Sequence, residues 1–92
     1  MANLASAKKR IRQNERARKR NQARKSRLKT VTRAFLDALQ QGDLAGAQEQ
    51  FRVVVKKLDQ TAAKGTLHAR TVARRKSRLA RRLNVALAAK SG

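Results

Sequence analysis

The stretch Gly42–Thr66, GDLAGAQEQFRVVVKKLDQTAAKGT, decides the fold, because it holds one complete helix between two stop signals. At 100° per residue Leu44, Ala47, Phe51, Val54, Val55, Leu58 and Ala62 fall within an arc of about 100°, the stripe expected of a helix facing a core. Val53 points the other way. Gly42 tolerates the left-handed conformation that closes a helix, and the Asp43 carboxylate is suited to cap the free N–H groups of the next one. Lys64-Gly65-Thr66 repeats the punctuation and makes Thr66 the expected cap of a further helix. Gly46 falls in the first turn, where its cost is modest.

Working outward, the same periodicity appears on both sides. Upstream, Leu28, Val31, Phe35, Ala38 and Leu39 form a second seam, which fades when carried back through Arg24, Asn21 and Ala17. Downstream, Val72, Leu79, Leu83, Ala86 and Leu87 form a third, with Ala69, Ala73 and Ala80 at its margin. Proline is absent, so nothing interrupts these segments. The reading is all-α, one domain over residues 1–92, with helices at about 6–41, 44–63 and 67–88. Short connections make an antiparallel three-helix bundle the simplest packing. The first helix is far longer than the second, so its basic beginning overhangs.

Charge sets the chemistry. The 92 residues carry 25 Lys/Arg against 5 Asp/Glu, a net +20. Residues 1–33 hold thirteen cations and only Glu15; residues 34–63 hold three cations and four acids; residues 64–92 hold nine cations and no acid. A near-neutral middle between two cationic ends, with 40% hydrophobic residues, is unlike a uniform disordered tail. The antiparallel packing gathers both basic ends at one end of the molecule. Self-repulsion of this size in so short a chain points to a polyanionic partner.

The totals exclude much else. Cysteine is absent and there is one histidine, so disulfides, thiolate metal sites and His-rich metal sets are ruled out. No cofactor is implied. The longest apolar runs resemble VALAA, too short to span a bilayer, and the beginning lacks the apolar core of a secretory signal, which suggests a cytoplasmic protein. No nucleophile, base and orienting acid can be assembled, so the chain is not read as an enzyme. Phe35 and Phe51 belong to the seams, leaving no aromatic platform for stacking single-stranded bases. Recognition should rest on phosphate, sugar and shape, hence on a folded nucleic acid.

Lys8, Arg12, Arg16, Arg20 and Arg24 succeed one another at spacing four, each pair repulsive by about 0.2–0.5 kcal/mol in an isolated helix. Phosphates would reverse that sign. Lys9, Arg10, Arg18, Lys19, Lys25 and Arg27 spread around the remaining sides, while Gln13, Asn14, Asn21, Gln22 and Ser26 supply neutral hydrogen-bonding groups. A free segment of this kind should fray up to about Arg24 and order on binding.

In the third helix Arg70, Arg74, Ser77, Arg78 and Arg81 lie opposite the seam and Arg75 and Arg82 flank it. Lys76 falls about 40° from the seam's centre, where it either snorkels or meets a phosphate. His68 reads either as a cap or surface residue or as an RNA contact. Two other readings are a nucleoid protein binding duplex DNA by charge, which would want an exposed apolar wedge, and a helical module for membrane surfaces or protein partners.

Two stretches go further. MANLASAKKRIRQNERARKRNQARKSRLKT (residues 1–30) and AAKGTLHARTVARRKSRLARRLN (residues 62–84) resemble the bacterial small-subunit ribosomal protein twenty family, nearly end to end. The resemblance implies a three-helix bundle with a long first helix that binds 16S rRNA directly and early in small ribosomal subunit assembly. It implies contact with the 5′ domain and the penultimate helix of the 3′ minor domain, and no membrane or small-molecule substrate. By motif match the RNA-facing positions would be Asn3, Ser6, Lys8, Lys9, Arg10, Arg12, Gln13, Asn14, Arg16, Arg18, Asn21, Arg24, Ser26 and Arg27 in the first stretch. In the second they would be His68, Arg74, Lys76, Ser77 and Arg78. The charge pattern adds Lys25, Arg70, Arg75 and Arg81; at Arg70, relatives often carry another polar residue.

Overall fold

In the computed structural model, which describes residues 2–91 with side chains over 4–90, three helices follow one another: α1 (Ala2–Gln40), α2 (Leu44–Ala63) and α3 (Ala69–Ser91). They form an antiparallel all-α bundle in which α2 packs against both neighbours, while α1 and α3 scarcely meet. The first basic helix overhangs, as its length requires.

Both α1 and α2 end in the same hydrogen-bonded turn. The Gly42 N–H donates to the Leu39 carbonyl and the Asp43 N–H to the Ala38 carbonyl; at the second turn Gly65 donates to Ala62 and Thr66 to Thr61. Each turn needs a left-handed residue, and Gly42 and Gly65 supply it at φ 76° and 74°. After the first turn α2 starts at once, with the Asp43 carboxylate accepting from the Gly46 N–H at 3.0 Å.

The second turn departs from expectation. Thr66 does not cap α3; the cap is His68, whose Nδ1 accepts from the Arg70 N–H at 3.1 Å and whose carbonyl accepts from the Val72 N–H. The Thr66 hydroxyl is bound to α1 instead, and Leu67 packs against the core, so α3 begins two residues later than the sequence suggests. Its far end runs on to Ser91, through good helix formers and with Lys90 complementing the dipole of the last turn. α1 likewise starts earlier, at Ala2.

The core consists of the three seams. Leu28 and Phe35 from α1, Ala47, Val54 and Leu58 from α2, and Val72 and Leu83 from α3 are buried. Val31, Ala38, Leu39, Phe51, Ala62, Leu79 and Leu87 pack around them. Phe35 meets Phe51 with ring centroids 5.6 Å apart and planes tilted by 48°, a favourable aromatic geometry. Val53 faces outward, as its position on the wheel requires. Thr61 is the one buried polar residue among the described residues, and its hydroxyl donates to the Lys57 carbonyl at 2.6 Å.

Candidate nucleic-acid interface

At about 1.5 Å per residue the 39 residues of α1 span about 58 Å and the 20 of α2 about 30 Å. The molecule is correspondingly a rod, 72 × 22 × 14 Å. From Leu4 to Arg20 every described side chain is exposed except Ala17, which is half-buried. Ser6, Lys8, Lys9, Arg10, Arg12, Gln13, Asn14, Arg16 and Arg18 all stand on this overhang in open solvent. Asn3, whose side chain lies outside the described residues, belongs to the same helix.

Where the overhang enters the bundle, the apolar seam is replaced by a polar clasp. The Thr66 hydroxyl donates to Asn21 Oδ1 at 2.9 Å, and an Arg24 guanidinium nitrogen donates both to that same oxygen at 3.2 Å and to the Thr66 hydroxyl at 3.3 Å. Asn21 and Arg24, expected among the RNA-facing residues, are half-buried and help to hold the α2–α3 turn against α1, Arg24 through one guanidinium nitrogen. They continue the seam at its own spacing, from Leu28 through Arg24 and Asn21 to Ala17, in polar form.

Beside the clasp, Arg24, Arg27, Lys57, Gln60 and Lys64 border a concavity of about 350 Å³. The sequence reading counts Lys57 in the near-neutral middle and takes Lys64 only as part of a helix stop; their seven-residue spacing, which brings the C-cap Lys64 onto the face of α2 that holds Lys57, is the available signal. Lys25 and Ser26 are exposed, and the Ser26 carbonyl accepts from the Thr30 hydroxyl.

On α3, Arg70, Arg74, Arg75, Ser77, Arg78 and Arg81 are all exposed. Ser77 and Arg81 share the outer surface with Asn84 and Val85, whereas Arg75 and Arg78 border the gap toward α1 together with Arg82. Lys76 is explained by its partner on α2: its Nζ lies 2.9 Å from Asp59 Oδ1. That is the one ion pair among the described residues. His68 is exposed and spends Nδ1 on the helix cap. No cluster of acidic, histidine or cysteine side chains able to hold a metal ion occurs among the described residues.

Fold and surface together define a class: a small, strongly basic helical bundle with an exposed cationic rod and no catalytic constellation among its described residues. A family model described as ribosomal protein S20 matches residues 2–84. The chain is 50% identical to the small ribosomal subunit protein bS20 of Mycobacterium bovis, over 91% of this chain and 98% of that protein. It is 46% identical to the protein of the same name from Corynebacterium kroppenstedtii (91% and 97% covered) and 49% identical to that of Kineococcus radiotolerans (88% and 94%). The chain belongs to the ribosomal protein S20 family of the small subunit, a family of structural proteins rather than enzymes.

Proposed function

We propose that this ribosomal protein works by binding 16S rRNA directly and stabilising the RNA fold during assembly of the small subunit in the cytoplasm. The observation that supports this most is the overhang: eight cations from Lys8 to Arg20, exposed all round the helix, face only one acid, Glu15, on the same segment. A rod charged on every side is matched by an anion that surrounds it, and folded RNA presents phosphates from several strands at once. The exposed basic side of α3 and the Arg24–Lys64 concavity extend the contact past the clasp. The two RNA regions implied by the family resemblance, the 5′ domain and the penultimate helix of the 3′ minor domain, would be bridged by a molecule of this length.

Each phosphate neutralised releases counterions, so the salt dependence of binding counts contacts. Lys76, already paired with Asp59, should contribute little to it. Filter or anisotropy titrations over a salt series test this: Arg12→Gln together with Arg16→Gln should weaken binding to a 16S fragment and flatten the slope, by about 0.7–0.9 per lost contact, whereas Lys76→Met should leave the slope nearly unchanged. Duplex DNA of equal length and anionic vesicles should bind much more weakly at moderate salt. Equal affinity for all three polyanions would defeat the reading.

A further inference from the structure

One line along the overhang carries no cation. At 100° per residue Leu4, Ile11, Glu15 and Gln22 fall within about 20° of a common direction, a ridge about 27 Å long on α1. Leu4 and Ile11 stand 58% and 59% exposed, two of the four large apolar side chains left in solvent among the described residues. Glu15 and Gln22 are exposed as well. Arg12 and Lys19 stand three and four residues from Glu15, yet its carboxylate forms no ion pair; the one pair among the described residues is Lys76–Asp59. Lys8 and Arg18 border the ridge about 40° to either side, with Lys19 at about 60°.

Three physical requirements select what the ridge meets. Leucine and isoleucine gain only where they displace water from apolar surface. A carboxylate is repelled by phosphate but accepts hydrogen bonds from 2′-hydroxyls and base amino groups. Cations on both borders want phosphates on both sides. The wide, shallow minor groove of an A-form RNA helix meets all three, with ribose carbons, 2′-hydroxyls and base edges lying between two phosphate strands. The minor groove of B-form DNA, about 6 Å wide, does not admit a helix of about 10–12 Å. An anionic membrane would meet Glu15 with like charge in the middle of the ridge, and the overhang has no aromatic side chain to anchor it there.

Resting on the RNA-binding function proposed above, we infer that the Leu4–Ile11–Glu15–Gln22 ridge faces the minor groove of an rRNA helix, while Lys8, Arg18 and Lys19 hold the bordering phosphates. Leu4 and Ile11 pack on ribose, and Glu15 and Gln22 engage its hydroxyls and the base edges. The other cations of the overhang serve phosphates on its remaining sides. Cations give affinity for any polyanion, whereas contacts to sugar and base give discrimination, so the ridge is where this rod tells RNA from DNA.

Full-length variants titrated against the 16S fragment and against duplex DNA over a salt series test this. Leu4→Ala with Ile11→Ala should weaken 16S binding about tenfold through lost apolar contact, with the salt slope unchanged and DNA binding unaltered. Alanine is the better helix former, so fraying cannot produce that loss. Ile11→Lys and Glu15→Lys each add positive charge; each should tighten DNA binding by about twofold or more while weakening 16S binding by about fivefold or more. A merely frayed overhang would weaken both. Val53→Ala, at an exposed apolar site on α2, should change neither. Tightening of both polymers by the lysine variants overturns the inference by turning the ridge toward phosphate. Unchanged 16S binding by the alanine pair overturns it too, by leaving the ridge to water or another protein. Either result leaves the RNA-binding function standing as long as the wild-type chain keeps its salt-dependent preference for the 16S fragment; loss of that preference in the wild type removes both.

Discussion

Gly46 occupies a helical position where alanine is ordinarily better by up to about 1 kcal/mol. A Cβ there would collide with the Asp43 carboxylate, which is the N-cap of α2. Glycine is therefore the residue that leaves room for the cap. Gly46→Ala should give little or none of the usual stabilisation, because displacing the cap costs about 0.5–2 kcal/mol. In an Asp43→Ala background the same change should stabilise by about 0.5–1 kcal/mol. Urea denaturation of the four chains measures the coupling; strict additivity would show that the two residues do not compete for the same space. The Lys76–Asp59 pair is a milder case at this scale. With 37% and 56% of the two side chains exposed, it contributes no more than about 0–1 kcal/mol, so its effect is to settle a cation near the seam rather than to stabilise the bundle.

At the level of the helices, the Asn21–Arg24–Thr66 clasp is the junction between the packed and unpacked parts of α1. Thr66→Val keeps the shape and removes both hydrogen bonds made by the hydroxyl, a loss of about 0.5–1.5 kcal/mol for each bond not replaced by water. Amide hydrogen exchange should then quicken around residues 20–25 and at the start of α3, while the buried turns around Val54 and Leu58 stay protected. Unchanged exchange at both places would mean that the clasp holds nothing. The three seams were legible in the sequence because a 3.6-residue period survives in any frame, and so was the overhang, because its charges have no apolar stripe beneath them. The clasp was not legible. Asn21 and Arg24 have the same chemistry as residues that contact RNA, and a threonine after glycine resembles a cap until the packing offers its hydroxyl a different partner. Lys76 stood out as an anomaly, but Asp59 becomes its neighbour only once the register of α2 against α3 is fixed.

Taken as a whole the molecule has a radius of gyration of 18.3 Å, where a compact chain of this length would have about 12 Å. Surface is gained at the cost of core, and the overhang's own repulsion is not offset by any ion pair among its described residues. Far-UV circular dichroism of the free protein at low salt should show less helix than the three elements require, with the deficit closing on addition of a 16S fragment and partly closing in sulfate. Full helicity at low salt without any anion would show that the overhang needs no counter-charge.

α1 passes from the bundle into the overhang without a break, and this has a consequence for aim. The azimuth of Lys8 is dictated by the way Phe35 is seated, seven and a half turns away, as on a keyed shaft. One residue inserted at the clasp would turn the whole cationic half by about 100° relative to α3 without altering a single side chain.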